Sequence, residues 1–366
     1  MSVLYHVTPP RPAVPDTDAV LQDVDALRSR FGGRVLHLYP FRRPGLPWPP
    51  VLFGLHGLPA LRRRERTVTL HHLFAPYLYP YPLLRWLRRP VVYSVFASVQ
   101  GQPSPDPAAF VGIARLVASS ERDAALLRGW GLDRIRLIRP GIDLARFAPS
   151  FPPSGDAFVL LVGSAPWVHA QFRSKGIDAL LGACRALPRL RLVFLWRGRL
   201  GTELDRRVRR AGVAERVEIL DGPVDVPAIL DRVHAAVVLA DGPVLVKAYP
   251  HSLLEALAVG RPVLVSDVVP MADYVVETGC GEVVTGVDPL LLIQGLRRLI
   301  DGYAACQARA AVLGARAFSR ETMLEAYAAV YREVASHGVG PGLPGRIRRG
   351  GPTPEDDATR RHEDPP

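Results

Sequence analysis

Short runs of consecutive apolar residues recur along this chain, and the stretches between them carry apolar residues at helical spacing. Val3–Val7 is the first run. In Asp18–Phe31 the apolar positions Ala19, Val20, Val24, Leu27 and Phe31 fall near a helical period, and Gly32-Gly33 ends that helix. Arg34–Leu38 resumes as strand, and Val68–His72, Val91–Phe96 and Arg115–Ala118 are further buried strands. The alternation restarts at Phe158. Strands are expected at Phe158–Val162, Leu190–Trp196, Val217–Leu220, Ala235–Leu239 and Pro262–Ser266. Helices are expected at Ile177–Ala186, Thr202–Ala211, Val226–Val233 and Ser252–Ala258. Apolar strands with few charges suit a sheet covered on both faces, and strands alternating with helices imply parallel βαβ units. The pattern therefore predicts an α/β protein with two doubly wound, Rossmann-like parallel sheets in series.

The punctuation places the boundaries. Phe147–Ala157 carries Pro149, Pro152, Pro153 and Gly155 and is the expected linker. Residues 1–148 are then one domain and 149–318 a second. Residues 338–366, rich in Pro, Gly and charge, are expected to form a disordered tail. Pro40–Arg66, rich in Pro and Arg, is expected to be an irregular, exposed insertion. In Leu83-Leu84-Arg85-Trp86-Leu87-Arg88-Arg89, apolar and cationic residues interleave. That pattern suits a helix on a membrane surface or one with its apolar face in the core.

Composition narrows the class. The 366 residues suffice for two domains, and 48% hydrophobic with 22% charged residues excludes a disordered chain. No apolar run is long enough to span a bilayer, and the N-terminus lacks a signal-peptide pattern, so a cytoplasmic location is expected, with peripheral contact to the inner face of the membrane. Cys184, Cys280 and Cys306 are isolated, which suggests buried thiols and no metal site. The net charge of +11 favours anionic partners: phosphate-bearing ligands, an anionic membrane or nucleic acid. Nucleic acid is disfavoured, since no zinc-finger spacing, RNP-like motif or KH loop occurs.

Open parallel sheets bind ligands at the carboxyl ends of their strands, near helix N-termini. Phe158–Val162 runs into Gly163-Ser164-Ala165, and a loop with Trp167, His169 and Arg173 leads to Lys175-Gly176 before a helix. Such a loop offers cations beside backbone N–H groups, as a diphosphate requires. Pro250 and Ser252 open a second helix after Lys247, with Glu255 one turn in. Two roles are open to Glu255: a ligand contact, or the closing member of a Ser252-x-x-Glu255 capping box.

Five segments, in order, resemble the retaining glycosyltransferase family that includes sucrose synthases, glycogen synthases and bacterial mannosyltransferases. They are Ser119-Ser120-Glu121-Arg122-Asp123; Arg139-Pro140-Gly141-Ile142-Asp143 with Phe147; Val162-Gly163 with Lys175-Gly176; Leu253-Leu254-Glu255-Ala256-Leu257-Ala258-Val259-Gly260-Arg261-Pro262-Val263; and Phe318-Ser319-Arg320 with Tyr327. The resemblance implies the two-domain GT-B fold, with facing sheets, a central cleft and a C-terminal helix (319–335) returning to the first domain. It implies transfer from a nucleoside diphosphate sugar to an acceptor, with retention and with no cofactor or metal. Residues 1–148 would be the acceptor side and 149–318 the donor side. Glu255 would hold the donor ribose and Lys175 the diphosphate. Amides near His251, Ser252 and Leu253 would hold the distal phosphate, beside Gly163 and Ser164.

The sequence departs from the family at defined points. Lys247 stands where the family has the first carboxylate of its E-x7-E pair; it meets an anionic sugar or the diphosphate, marks a changed activity, or points away from the site. Ser164 replaces an arginine, for which Arg173 is the expected substitute. Phe96 stands where a histidine is expected, and His71 and His72 are the nearest acceptor-side replacements, at the end of a strand. Lys175, Arg173 and Lys247 are thus the catalytic candidates. The alternatives are a catalytically impaired homologue that acts as a binding module, and a nucleotide-sugar epimerase.

Overall fold

The computed structural model describes residues 1–9, 18–41, 48–196, 200–314 and 316–336. Its first half holds β1 (Val3–Val7), α1 (Ala19–Phe31), β2 (Arg34–His37), α2 (Leu58–Arg64), β3 (Leu70–Ala75), β4 (Val91–Val95), β5 (Ile113–Ala118), α3 (Glu121–Gly129) and β6 (Ile135–Leu137). The second half begins with β7 (Phe158–Val162), α4 (Gln171–Ser174), α5 (Ile177–Ala186), β8 (Leu190–Trp196), α6 (Gly201–Arg210), β9 (Val217–Asp221) and α7 (Val226–Asp231). It continues through β10 (Ala235–Val238), α8 (His251–Ala258), β11 (Val263–Ser266), α9 (Met271–Thr278), β12 (Gly281–Val284), α10 (Pro289–Asp301), α11 (Tyr303–Arg309) and α12 (Arg320–Ser336).

Two parallel sheets result, ordered β2-β1-β3-β4-β5-β6 and β12-β11-β10-β7-β8-β9. Strands β1, β3 and β4 are buried at every residue, as are β10 and β11, because helices cover both faces. Along β7, Leu161 packs with α8 and α9, while Leu160 and Val162 pack with α5 and α10. Strand order reverses between β7 and β10 in the second sheet and between β1 and β3 in the first. Each reversal opens a crevice at the carboxyl ends of its strands.

The chain crosses between the halves twice, and the crossings are tied together. The Ile142 amide donates to Phe318 O at 2.8 Å, and the Arg320 amide donates to Ile142 O at 2.9 Å. Helix α12 then packs on the first sheet through Met323, Tyr327, Val330 and Tyr331. Its Tyr331 hydroxyl lies 2.5 Å from His72 Nδ1, whose Nε2 is 2.7 Å from Ser94 Oγ.

Three expectations need correction. Strand β3 starts two residues later than expected and runs on to Ala75, so His71 and His72 sit inside it and are fully buried. Part of the expected insertion is folded: 3-10 turns and α2 occupy 50–67, with Leu61 and Glu65 buried. The stretch 83–89 is a 3-10 turn, Pro82–Trp86, and no amphipathic helix, because Pro82 fixes the turn and Pro90 biases the preceding residue to extended backbone. The tail expected to be disordered, 338–366, lies outside the described residues.

Arg261, in the turn between α8 and β11, is completely buried. It donates to Leu230 O at 3.2 Å, and to Ser150 O, Ser150 Oγ and Phe151 O at 2.8 Å each. One guanidinium thus pins the linker to the second sheet. Arg261→Met fills the space but leaves the buried Leu230 carbonyl and the part-buried Ser150 and Phe151 carbonyls without that donor. A loss on the order of 3 kcal/mol is expected, seen as a fall in Tm of several degrees. An unchanged Tm would show that water replaces the guanidinium.

Candidate functional site

The reversal between β7 and β10 lies at one wall of a cleft of about 610 Å³, a volume typical of small-molecule sites. Gly163, Ser164 and Lys175 line it from the loop after β7. Lys247, His251, Ser252 and Glu255 line it from α8 and the segment before it. Asp18, Ala19 and Gln22 face them from the first half.

Helix α8 starts at His251 with Pro250 as its N-cap, which contributes no side-chain cap. Ser252 is therefore inside the first turn, and the Ser-x-x-Glu capping box does not form. Glu255 is left on the cleft wall. The amides of Leu253 and Leu254 both donate to Pro250 O, at 3.0 and 3.2 Å. The first-turn amides of His251 and Ser252 have no intrahelical acceptor and carry the positive end of the helix dipole. Leu253 corrects an expectation: its amide is occupied and its side chain is buried in the core.

Gly163 is required by close approach. A Cβ there would lie 2.5 Å from Ser252 Cβ, so only glycine lets the end of β7 touch α8. Gly176 caps α5 at φ +66°, against Leu239, and places the preceding Lys175 beneath the loop. Lys175 is 6% exposed, and its Nζ donates to Ala165 O at 3.1 Å. Among the described residues no carboxylate pairs with it. Burial lowers its pKa to about 8. A buried ammonium with no carboxylate partner among the described residues, lining one cleft with the start of α8, is an arrangement suited to an anion.

Arg173 does not join this group. On the single turn of α4, Phe172 enters the core and Lys175 follows inward, so Arg173 faces solvent away from the cleft. The cation that sequence reasoning missed is Arg146, at the end of a 3-10 turn (Leu144–Arg146) where the first crossing begins, and it lines the cleft. Its only sequence signal is its place just after the Arg139–Asp143 motif.

His71 and His72 are corrected as well. His71 lies 3.0 Å from His6 and 3.2 Å from Glu65; His72 binds Tyr331 and Ser94. Both are 0% exposed and spent on internal partners, so neither reaches the cleft. The cleft border is built by other residues. The backbone of Lys247 bridges to Ala97 at the end of β4, and the Ala248 amide donates to Phe96 O at 3.3 Å. Lys247 Nζ is 3.8 Å from Asp18 and 5.8 Å from the Phe96 ring centre. Burial lowers its pKa, against the pull of Asp18 and Asp23. His251 Nε2 is 3.6 Å from Asp23. Among the described residues no three His, Cys, Asp or Glu side chains form a group able to hold a metal ion.

Residues 154–313 match the family described as "Glycosyl transferases group 1". This segment of the chain belongs to that family. A D-inositol 3-phosphate glycosyltransferase of Xylanimonas cellulosilytica is 33% identical over 236 residues, 58% of this chain and 56% of the relative. The chain thus matches just over half the length of that relative. A glycosyltransferase structure from Rickettsia africae superposes with a TM-score of 0.69 at 14% identity, covering 91% of this chain and 98% of the other. HepE of Anabaena in complex with UDP superposes at 0.67 and 15% identity, over 91% and 100%. The fold is GT-B. The group 1 segment contributes every cleft-lining residue from Gly163 to Glu255, while Asp18, Ala19, Gln22 and Arg146 lie outside it.

Lys175 gives the site a pH dependence of known sign. Its ammonium is present below about pH 8 and is lost as pH rises through that value. Affinity for inorganic pyrophosphate should fall from pH 7 to 10, although the ligand itself gains charge over that range. A bound anion raises the lysine's pKa, so the fall in the complex lies above 8. Lys175→Met should flatten the profile, as titration calorimetry at several pH values would show.

Proposed function

We propose that this protein transfers a glycosyl group from a nucleoside diphosphate sugar to an acceptor, with retention at the anomeric carbon. One observation carries the reading: buried Lys175, with no carboxylate partner among the described residues, lines the same cleft as the start of α8 in a group 1 glycosyl transferase segment. In this reading residues 149–318 form the donor side. Residues 1–148, with the returning helix 319–335, form the acceptor side. The His251 and Ser252 amides and Lys175 hold the diphosphate, and they stabilise the charge that grows on it as the glycosyl bond breaks. Glu255 accepts from the ribose hydroxyls. UDP, bound in the HepE structure, is the first donor base to try.

A second reading, a donor-binding module without turnover, is favoured by the contact of Lys247 with Phe96, the two positions that depart from the family pattern. An epimerase would act without acceptor, so product analysis separates all three. UDP, GDP and ADP should be screened by calorimetry, and the sugar form of whichever binds incubated with and without sugar acceptors. Glu255→Gln should weaken the bound nucleotide by about tenfold or more with Tm unchanged, since a charge-assisted hydrogen bond is worth about 1.5–3 kcal/mol. Full affinity in Glu255→Gln would remove the glutamate from the site. The anomer of the product, read by NMR, tests retention.

We also infer a peripheral contact with anionic membranes. Glu65 gathers two basic stretches into one face: it pairs with Arg62 and accepts from the Arg88 and Arg89 amides. Burial raises its pKa, but the hydrogen bonds from His71 and those amides outweigh it and hold the carboxyl at about 2. Trp86, 42% exposed, stands among exposed Arg85, Arg88 and Arg89. No helix of the described residues is long and apolar enough to cross a membrane. Each arginine at an anionic surface contributes about 1 kcal/mol, screened by salt. The protein should co-sediment with phosphatidylserine vesicles at low salt, and Arg85→Glu with Arg88→Glu should abolish this. Equal sedimentation with neutral vesicles would discard the inference.

A further inference from the structure

The nucleoside and diphosphate contacts all come from the second half, while transfer requires the reacting carbon to reach the border with the first. That border is where Lys247 stands. Its backbone is fixed to the end of β4 through Ala97 and Phe96, so its side chain enters a defined place. The chain there lines two spaces at once: the large cleft, and a smaller cavity of about 40 Å³ behind it.

At this border the Lys247 ammonium and His251 stand near the Asp18 and Asp23 carboxylates. Lys247 has three N–H donors and no acceptor capacity. Among the described residues its ionic partner is Asp18 Oδ1, at 3.8 Å, beyond hydrogen-bonding reach. That same oxygen already accepts from the Val20 and Leu21 amides, at 2.8 and 3.2 Å, as the N-cap of α1. Two further polar atoms of residues lining the small cavity are buried without a hydrogen-bond partner: His251 Nδ1 and Ser119 Oγ. Both residues are more than nine-tenths buried. Phe96 offers the ammonium its ring face, which favours a cation but accepts no strong hydrogen bond. A neutral sugar at this place would offer the ammonium only neutral hydroxyl oxygens as acceptors. A carboxylate would accept from Lys247 in a charge-assisted bond, with Ser119 and His251 as neighbouring partners.

We propose that Lys247 selects a donor whose sugar carries a carboxylate, a nucleoside diphosphate uronic acid. The inference rests on the proposed glycosyl transfer and names the class of sugar transferred. Lys247 is a specificity determinant in it, and the diphosphate is held by other groups.

The test is binding by the full chain. Isothermal titrations of the wild type with UDP, UDP-glucose and UDP-glucuronic acid, and with GDP, GDP-mannose and GDP-mannuronic acid, give the sugar contribution for each base. The uronate donor should bind about tenfold or more tighter than its neutral counterpart, the effect of one charge-assisted hydrogen bond. Lys247→Gln, which keeps length and loses charge, should bring the two donors to within a factor of about two, with the affinity for the bare diphosphate retained. Lys175→Met should weaken all ligands of the series together. Equal or tighter binding of the neutral sugar by the wild type overturns the proposal, as does a preference that survives in Lys247→Gln. If neither UDP nor GDP binds, the donor-site reading itself fails and takes this inference with it. Binding of the diphosphate without a uronate preference sinks this inference alone.

Discussion

The contact between Gly163 and Ser252 is the constraint on which the cleft depends. The end of β7 and the start of α8 approach so closely that a single methyl group would lie 2.5 Å from Ser252 Cβ. This approach aims the open amides of His251 and Ser252 over the end of the strand. It also leaves the loop after β7 no straight route to α5, so the chain covers the strand end and returns through Gly176, itself pressed against Leu239. Lys175 is the residue before that return and is carried under the loop with it. Burying an ammonium in this way costs the empty protein on the order of 3 kcal/mol, by the distance of its pKa of about 8 from the ordinary value. The sign is that of a depressed lysine: this cost is present below about pH 8 and fades as pH rises from there toward 10.5, where the unfolded chain also loses its proton. A bound anion offsets the same cost, so instability and binding are one property of the loop.

The two halves are joined by more than the linker. Arg122 of α3 pairs with Asp273 of α9 and donates to Asp267 O at 2.7 Å. The Arg139 guanidinium lies 5.9 and 5.7 Å from the rings of Tyr249 and Tyr274. The crossing at Ile142 and Phe318–Arg320 closes this side of the molecule, and Ala97 with Lys247 closes the cleft side. The segments that resemble family motifs on sequence are therefore mostly hinge and border pieces: Ser120 caps α3, and Asp123 accepts from Ser98 and Val99. Their first effect is to set the distance between the sheets. These border pieces act on the cleft through that distance, while Gly163, Lys175 and Glu255 of the other segments line it directly.

How far the sequence shows this depends on what holds each segment. The second half is legible because its strands are buried on both faces and its turns carry the glycines that close approach demands; β7, β8 and α5 fall where the apolar runs place them. Residues 50–67 and 82–86 are not legible, since proline-set 3-10 turns leave no period for a hydrophobic pattern to display. The histidine pair was misplaced for a related reason. A histidine inside a strand looks like a strand end unless its partners are known, and those of His72, Ser94 and Tyr331, lie 22 and 259 residues away. At the site, spacing found Gly163, Lys175, Ser252 and Glu255. It could not find that the Leu253 amide is spent on Pro250, nor that one helical turn sends Arg173 outward while Arg146 arrives from the 3-10 turn just before the linker.

Lys247 and Phe96 show what pairs of residues reveal that single positions do not. Each departs alone from the family pattern, and taken singly each suggests a lost function. In the fold they meet, with the ammonium 5.8 Å from the ring centre, and the pairing has a physical logic. The face of an aromatic ring is electronegative, so it attracts a cation and repels a carboxylate. A glutamate at 247 would be poorly placed beside Phe96, and a lysine is well placed. The negative charge missing from 247 is supplied across the border by Asp18, so the border keeps both signs but with the cation on the second half. A ligand entering here meets a half-buried ion pair that it must join or displace, and an anionic acceptor replaces Asp18 for Lys247 most fully. The two departures are therefore one change in polarity at the border between the two halves.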